Sequence, residues 1–260
     1  MVMQVDVADV RELVKSCELP EAPPVRFDLA KDPPSPFDVA KEQASVVGSD
    51  VIAFSKGVSA ATRGDIQNAV LLAQLVAKKS MSEPKTLSDV GAWYDSYFDT
   101  LSRLGFVLQD KALAEYRSSS DTFEAHESIL EIAGALLAGS PGALVLVKKT
   151  LEALQKMSAD SPFITLFHRE SQSANTGRFQ VSLVESDVAG VMLTLIAFGL
   201  EARASVTQVL FFKFRKNDVT LRHNSGKVSI NEALLAGVRP QVSSKIVAFT
   251  NDFIERLPDL

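Results

Sequence analysis

Two stretches decide the fold: Arg178-Phe-Gln-Val-Ser-Leu-Val184 and Val191-Met-Leu-Thr-Leu-Ile-Ala-Phe-Gly-Leu200. In the first, Phe179, Val181 and Leu183 alternate with Arg178, Gln180 and Ser182, the period-two pattern of a strand with one apolar and one wet face. The second is apolar on both faces apart from Thr194, as expected of a central strand covered from both sides. Strand signals extend outward from this pair. Phe163 to Arg169 reads as a short strand and Gln172 to Gly177 as a polar loop. Val206 to Arg215 and Val219 to His223 read as strands joined at Asn217-Asp218, with a last short strand over Lys227 to Ile230. Short connections between successive strands predict an antiparallel β-meander of 4-6 strands over about 163-230.

Helical periodicity dominates on the N-terminal side. Ile66, Val70, Leu71, Leu75 and Val76 recur at helical spacing behind Asp65, and Lys78 and Lys79 suit the dipole of a last turn. Thr86-Leu87-Ser88-Asp89 resembles a capping box, followed by Val90, Trp93, Tyr94, Tyr97, Leu101 and Leu104 on one face and Gly105 as a stop. A third helix is expected to start near Asp121 and a fourth after Gly139-Ser140-Pro141-Gly142. The apolar stretch 129-147 reads as a buried hairpin, because Glu131 and the central break deny it the ~20 continuous residues of a bilayer span. Trp93, Tyr94, Tyr97 and Phe98 read as core, with the phenol hydroxyls at the surface. Beyond Ile230, Asn231-Glu232 opens a helical region that Pro240 is expected to interrupt. Val242, Ile246, Phe249, Phe253 and Leu257 would line one side of the last helix.

The class is therefore α+β: an N-terminal helical half, the antiparallel meander and a closing C-terminal helix. Residues 1-36 read as a proline-rich extended arm holding one short helix over Val7 to Val14. Six prolines (20, 23, 24, 33, 34 and 36) forbid continuous helix or central strand there. The remainder, 37-260, reads as a single domain with a helical layer over 37-160, a sheet over 163-230 and a helix over 231-257.

Composition narrows the functional classes. The 260 residues are 46% hydrophobic and 23% charged, with a net charge of -5, so the chain is neither disordered nor fibrous. One cysteine, Cys17, excludes an intrachain disulfide and a thiolate metal cluster. The acidic start MVMQVDVADV does not resemble a secretory leader, so the expected location is the cytoplasm, or export by a route without a cleavable signal peptide. The net charge argues against nucleic acid, but it is uneven. Residues 1-50 hold ten acids and five bases, whereas Arg203 to Lys227 holds six bases and the single acid Asp218.

Catalytic signatures are missing from the sequence. There is no nucleophile elbow. Gly134 and Gly139 have phosphate-loop spacing, but Ser140-Pro141 stands where Lys-Ser/Thr is required. His126-Glu127 begins like a zinc-protease helix, yet Leu130 takes the second histidine's place, so no metal site and no cofactor are expected. One candidate site comes from the hairpin at Asn217-Asp218. If Lys216 faces Val219, then Lys213 faces Arg222, and Lys213, Arg215 and Arg222 share a face that suits an anion: a lipid headgroup, a phosphate or an acidic protein. Phe214, Leu221, Phe212 and His223 would form the apolar face, with His223 and His168 as candidate buried polar groups. Cys17 is a candidate acylation site, opposed by Glu18 and Glu21.

The leading expectation is a non-enzymatic binding protein of effector or toxin-like type. It would engage a membrane surface, lipid or acidic partner through the basic sheet face. A second is a small-molecule hydrolase with a pocket using His168, Glu170 or His223, and a third is an intracellular structural homo-oligomer. A long apolar tunnel would indicate a fatty-acyl ligand.

Overall fold

A computed structural model describes residues 6-22, 37-108, 113-116, 122-188, 190-203, 213-215 and 218-257. The chain runs through α1 (Val7–Ser16), β1 (Gln43–Val47), β2 (Asp50–Phe54), α2 (Ala60–Ser80), α3 (Leu87–Arg103), β3 (Phe106–Val107), β4 (Ala114–Glu115) and β5 (Thr122–Glu124). It continues through α4 (Ala125–Leu136), α5 (Pro141–Gln155), α6 (Pro162–Ser171), β6 (Gln172–Ser173), β7 (Thr176–Asp187) and β8 (Gly190–Ala202). Then follow β9 (Lys213–Arg215), β10 (Val219–Ile230), α7 (Glu232–Ile246), α8 (Thr250–Phe253) and β11 (Ile254–Arg256). This is an α+β fold built on a mixed nine-stranded sheet in the order β11-β1-β2-β7-β8-β10-β3, with β4 added to β10 and β6 to β7. β5 and β9 form a separate two-stranded ribbon.

The meander exists as β7-β8-β10, antiparallel in long register from Asp187↔Gly190 to Val219↔Ala202. The sheet is larger than the meander because residues 43-54 form a hairpin that lies parallel on β7, Ile52 beside Ser182. Gly48 and Ser49 turn this hairpin. Gly48 has φ +54, and a Cβ there would sit 2.1 Å from the Gln74 side-chain oxygen, so only glycine fits. Gly199, in the middle of β8, lets α3 approach: a Cβ would meet Val90 at 2.7 Å.

Helices cover both faces. On one, α1, α2, α3 and α7 pack with Ile52, Phe54, Val184, Leu193, Leu195 and Ala197. On the other, α4, α5 and α6 pack with Val51, Ala53, Phe179, Val181, Leu183, Ile196 and Phe198. The stretch 129-147 is the α4-α5 hairpin, and Ile129, Ala133, Leu137, Leu146 and Val147 are buried in this second layer. Among the described residues no helix is long and apolar enough to cross a membrane.

Several local expectations are corrected. Phe163 to Arg169 is helix α6: Ser161 caps it, its hydroxyl accepting from the Ile164 amide at 3.3 Å, and Pro162 occupies the first turn. Helix α4 starts at Ala125, after strand β5, four residues later than Asp121. Helix α7 runs through Pro240. Pro240 lacks the amide that would bond the Ala236 carbonyl, and at the next residue the Gly237 carbonyl accepts from Arg11 of α1 at 3.1 and 2.7 Å. After Ile246 the chain does not stay helical to Leu257. It passes through α8 into β11, which pairs with β1. The short helix foreseen at Val7 to Val14 forms as α1, with Val10 and Val14 buried. Most of the proline-rich segment, 23-36, lies outside the described residues.

Candidate functional site

The polar side of β7 is not a wet face. Arg178, Gln180 and Ser182 are 5%, 0% and 0% exposed, because α2 and α3 cover them. Buried polar groups need partners, and a chain of side chains supplies most of them. The Tyr94 hydroxyl donates toward the carbonyls of Phe179 (3.0 Å) and Phe198 (2.7 Å) and accepts from the Gln180 amide at 2.8 Å. Gln180 accepts from the Ser49 hydroxyl at 3.0 Å, and the Ser49 amide donates to Gln74 at 3.1 Å. Burial holds the Tyr94 and Tyr97 phenols well above their ordinary range. Both hydroxyls are interior, against the expectation that they reach the surface. Asp50 is also fully buried. It accepts from Ser182 at 2.9 Å through one oxygen, its other oxygen has no partner, and burial pushes its carboxyl up to about 7.

At the edge of this seam Gln74, Leu75, Lys78, Trp93, Glu170, Arg178 and Phe253 line a small cleft. Five elements bring them together, with Phe253 coming from α8. α2 contributes Gln74 and Lys78 one turn apart, α3 contributes Trp93, the last turn of α6 contributes Glu170, and β7 contributes Arg178. Glu170 accepts from Lys78 at 2.7 Å and from Arg169 at 2.8 Å. Both cations also lie over the Phe253 ring, at 5.2 and 5.0 Å. Three cations, Lys78, Arg169 and Arg178, therefore stand around one carboxylate.

Arg178 is the unusual member, and the molecule contains its own control. Buried Arg63 donates to the carbonyls of Val58, Lys41 and Ser55 and to the Gln43 side chain, at 2.7 to 3.0 Å. That is how a structural guanidinium is satisfied. Arg178 instead stacks 4.6 Å over the Trp93 ring, its Nε has no hydrogen-bond partner, and it makes no hydrogen bond to a described residue. Burial lowers its pKa, with Tyr94 and Glu170 opposing. A buried guanidinium stays charged and is costly without an acceptor. What Arg178 lacks is an acceptor.

The residues singled out from the sequence are dispersed. Lys213 and Arg215 lie on β9, which pairs with β5 and not with β10, so the register sets Glu124 opposite Lys213 and Thr122 opposite Arg215. The pairing of Lys213 with Arg222 is overturned. Arg222 is opposite Glu115 of β4, which has taken that edge of β10. Residues 204-212 and 216-217, including the expected partners Phe212 and Lys216, lie outside the described residues. His223 stands between the rings of Phe198 (6.3 Å) and Tyr116 (6.0 Å), half-buried, its pKa lowered by burial. His168 is half-buried on α6 beside Phe167, likewise lowered. The Phe167, Phe179 and Phe198 rings stand between these two histidines, so they form no common pocket. Of the three hydrolase candidates only Glu170 lines the cleft. Cys17 is half-buried at the end of α1, its thiol pushed up by burial against the lowering effect of Lys245 and Arg103. A raised thiol is a poorer nucleophile. Among the described residues no group of His, Cys, Asp and Glu is placed to hold a metal ion.

Sequence reasoning missed Arg178, Lys78 and Trp93 as a group. Arg178 was legible only as a polar position of an alternating strand, and nothing local announces that a helix will cover it.

No protein-family model and no curated protein matches the chain. Among solved structures it is similar to that of the Evf virulence factor, at 11% identity and a TM-score of 0.37, over 80% of this chain and 85% of that one. A likeness at that level carries no argument about function, which is left to the chain's own geometry.

Proposed function

We propose that the protein is a binding protein whose ligand presents an anionic group to Arg178. One observation carries this reading: a guanidinium 5% exposed, its Nε unpartnered, lines a cleft with Lys78 and Glu170, and Glu170 is already shared between Lys78 and Arg169. An anion meeting Arg178 gains a charge-assisted hydrogen bond in surroundings that screen poorly. Trp93 is the single tryptophan of the chain and stacks on that guanidinium, so its fluorescence reports directly on the site. Titration with phosphate, sulfate and acetate at constant ionic strength is expected to give a saturable change with at least one of them. Arg178→Gln, shown by circular dichroism to be folded, is expected to abolish it. A wild-type response no different from that to chloride rejects the reading.

A second surface retains the charge segregation of the sequence in its favour. Exposed Arg222 on β10, and Lys213 and Arg215 on the separate β9 ribbon, would each contribute positive charge toward an anionic membrane or an acidic protein, in an effector-type role. Vesicles containing phosphatidylserine should then sediment the wild-type chain and release it when Lys213 and Arg222 are both changed to Glu. Equal sedimentation of the two proteins counts against that surface.

A further inference from the structure

The cleft already contains an anion of its own. Glu170 is 5% exposed and accepts from both Lys78 and Arg169. It lies in the last turn of α6, where a carboxylate meets the negative end of the helix dipole, so the helix itself does not favour it there. What holds it is the two cations. These two are also the solvent-facing ones: the Lys78 and Arg169 side chains are 31% and 51% exposed, Arg169 also donating to the Asp252 carbonyl at 2.6 Å, while Arg178 lies in the interior against Trp93. The Phe253 ring lies 5.2 and 5.0 Å from the two cations, a contact independent of their bonds to the carboxylate.

We infer that Glu170 is an internal counter-ion that occupies Lys78 and Arg169 in the free protein, and that an anionic ligand bridging from Arg178 to these cations must displace it. The inference rests on the reading of Arg178 as the anion receptor. Glu170 then sets the affinity threshold of the site. A weak or singly hydrogen-bonding anion fails to displace it, while one with several acceptor oxygens reaches Arg178 and both outer cations together. No other carboxylate lines the cleft among the described residues, so the competition is localised at one side chain.

The test uses inorganic phosphate as probe, Trp93 fluorescence as readout and the full chain throughout. Glu170→Gln removes the competing charge and keeps the side chain's size; phosphate is expected to bind it about tenfold more tightly than wild type. Glu170→Asp keeps the charge but withdraws it by one methylene. A smaller tightening is expected there, since displacement depends on position and not on net charge alone. The Asp variant also serves if the Gln variant melts below the working temperature. If both variants bind phosphate no more tightly than wild type, while Arg178→Gln still abolishes binding, the competition is overturned and the anion site stands. Tightening in Gln with none in a folded Asp variant also overturns it, because long-range charge then accounts for the effect. If phosphate binds none of the proteins, the anion reading fails for phosphate, and the competition inference falls with it.

Discussion

The two faces of β7 are equally buried and are filled in opposite ways. On one, Phe179 stacks 4.9 Å from Phe198 and meets Phe167 edge-on, an interior of rings and aliphatic chains closed by α4, α5 and α6. On the other, one residue away at each step, Arg178, Gln180 and Ser182 lie under α2 and α3; Gln180 is held by Tyr94 and Ser49 and Ser182 by Asp50, while Arg178 stacks on Trp93. The apolar face needs only shape and area. The polar face needs every donor matched to an acceptor, and it is not fully matched: Asp50 Oδ1, Arg178 Nε, Trp93 Nε1 and Tyr97 Oη are buried without partners. Incomplete satisfaction is expensive in a core and useful in a site, which is why the candidate site lies at the edge of the polar layer.

Substitutions on the two faces put this contrast to the test. Phe179→Ala is expected to have the largest effect, a loss of about 3-5 kcal/mol in urea unfolding, as for other fully enclosed aromatic truncations. A loss below about 1 kcal/mol, smaller than any core truncation of this type, would mean that the apolar layer is not the chief source of stability. Asp50 gives the next effect, and its sign is set by the raised carboxyl. The folded state keeps a proton up to about pH 7 that the unfolded chain releases near pH 4, so the contribution of Asp50 to stability is most favourable below pH 4 and declines as pH rises toward 7. Asp50→Asn is expected to remove that decline, gaining a few kcal/mol over wild type at pH 8 and little at pH 4. Parallel unfolding curves of the two proteins across this range would show that the buried carboxyl is not what titrates. Tyr94→Phe is the smallest of the three. It strips the Gln180 amide of its acceptor and two carbonyls of their donor, at a cost of about 1-3 kcal/mol. A neutral result would imply that water enters the seam.

How far the sequence discloses this molecule follows from the range of each signal. The capping box at Thr86 and Asp89 is written within four residues, and it forms as read. β7 and β8 follow from period two over adjacent segments, as does the antiparallel pairing between them. The β1-β2 hairpin, though, is signalled only by Gly48-Ser49 between two apolar pentapeptides, and its parallel seat on β7 depends on residues more than a hundred positions away. Glu170 stands out in the sequence as a candidate for a hydrolase pocket, but next to a segment, Phe163 to Arg169, whose strand-like pattern folds as α6, and its partner Lys78 reads only as a dipole-stabilising charge. The cleft is a meeting of residues 74 to 253, each ordinary in its own neighbourhood. Alternation fixes which side of a strand a residue faces; it does not say whether that side meets water or another layer.

The edge formed by β11 on β1 has a consequence for how the chain comes into being. Ser45, Val46 and Val47 find their outer partners in Arg256, Glu255 and Ile254, and the Gly48 amide binds the Phe253 carbonyl at 2.8 Å. During synthesis the hairpin at 43-54 emerges some two hundred residues before the strand that shields it. For that interval its outer backbone groups are an open template for pairing with neighbouring nascent chains. Yield in the cell should therefore respond to the speed of translation, and to holdase chaperones that mask an apolar hairpin until its late partner arrives.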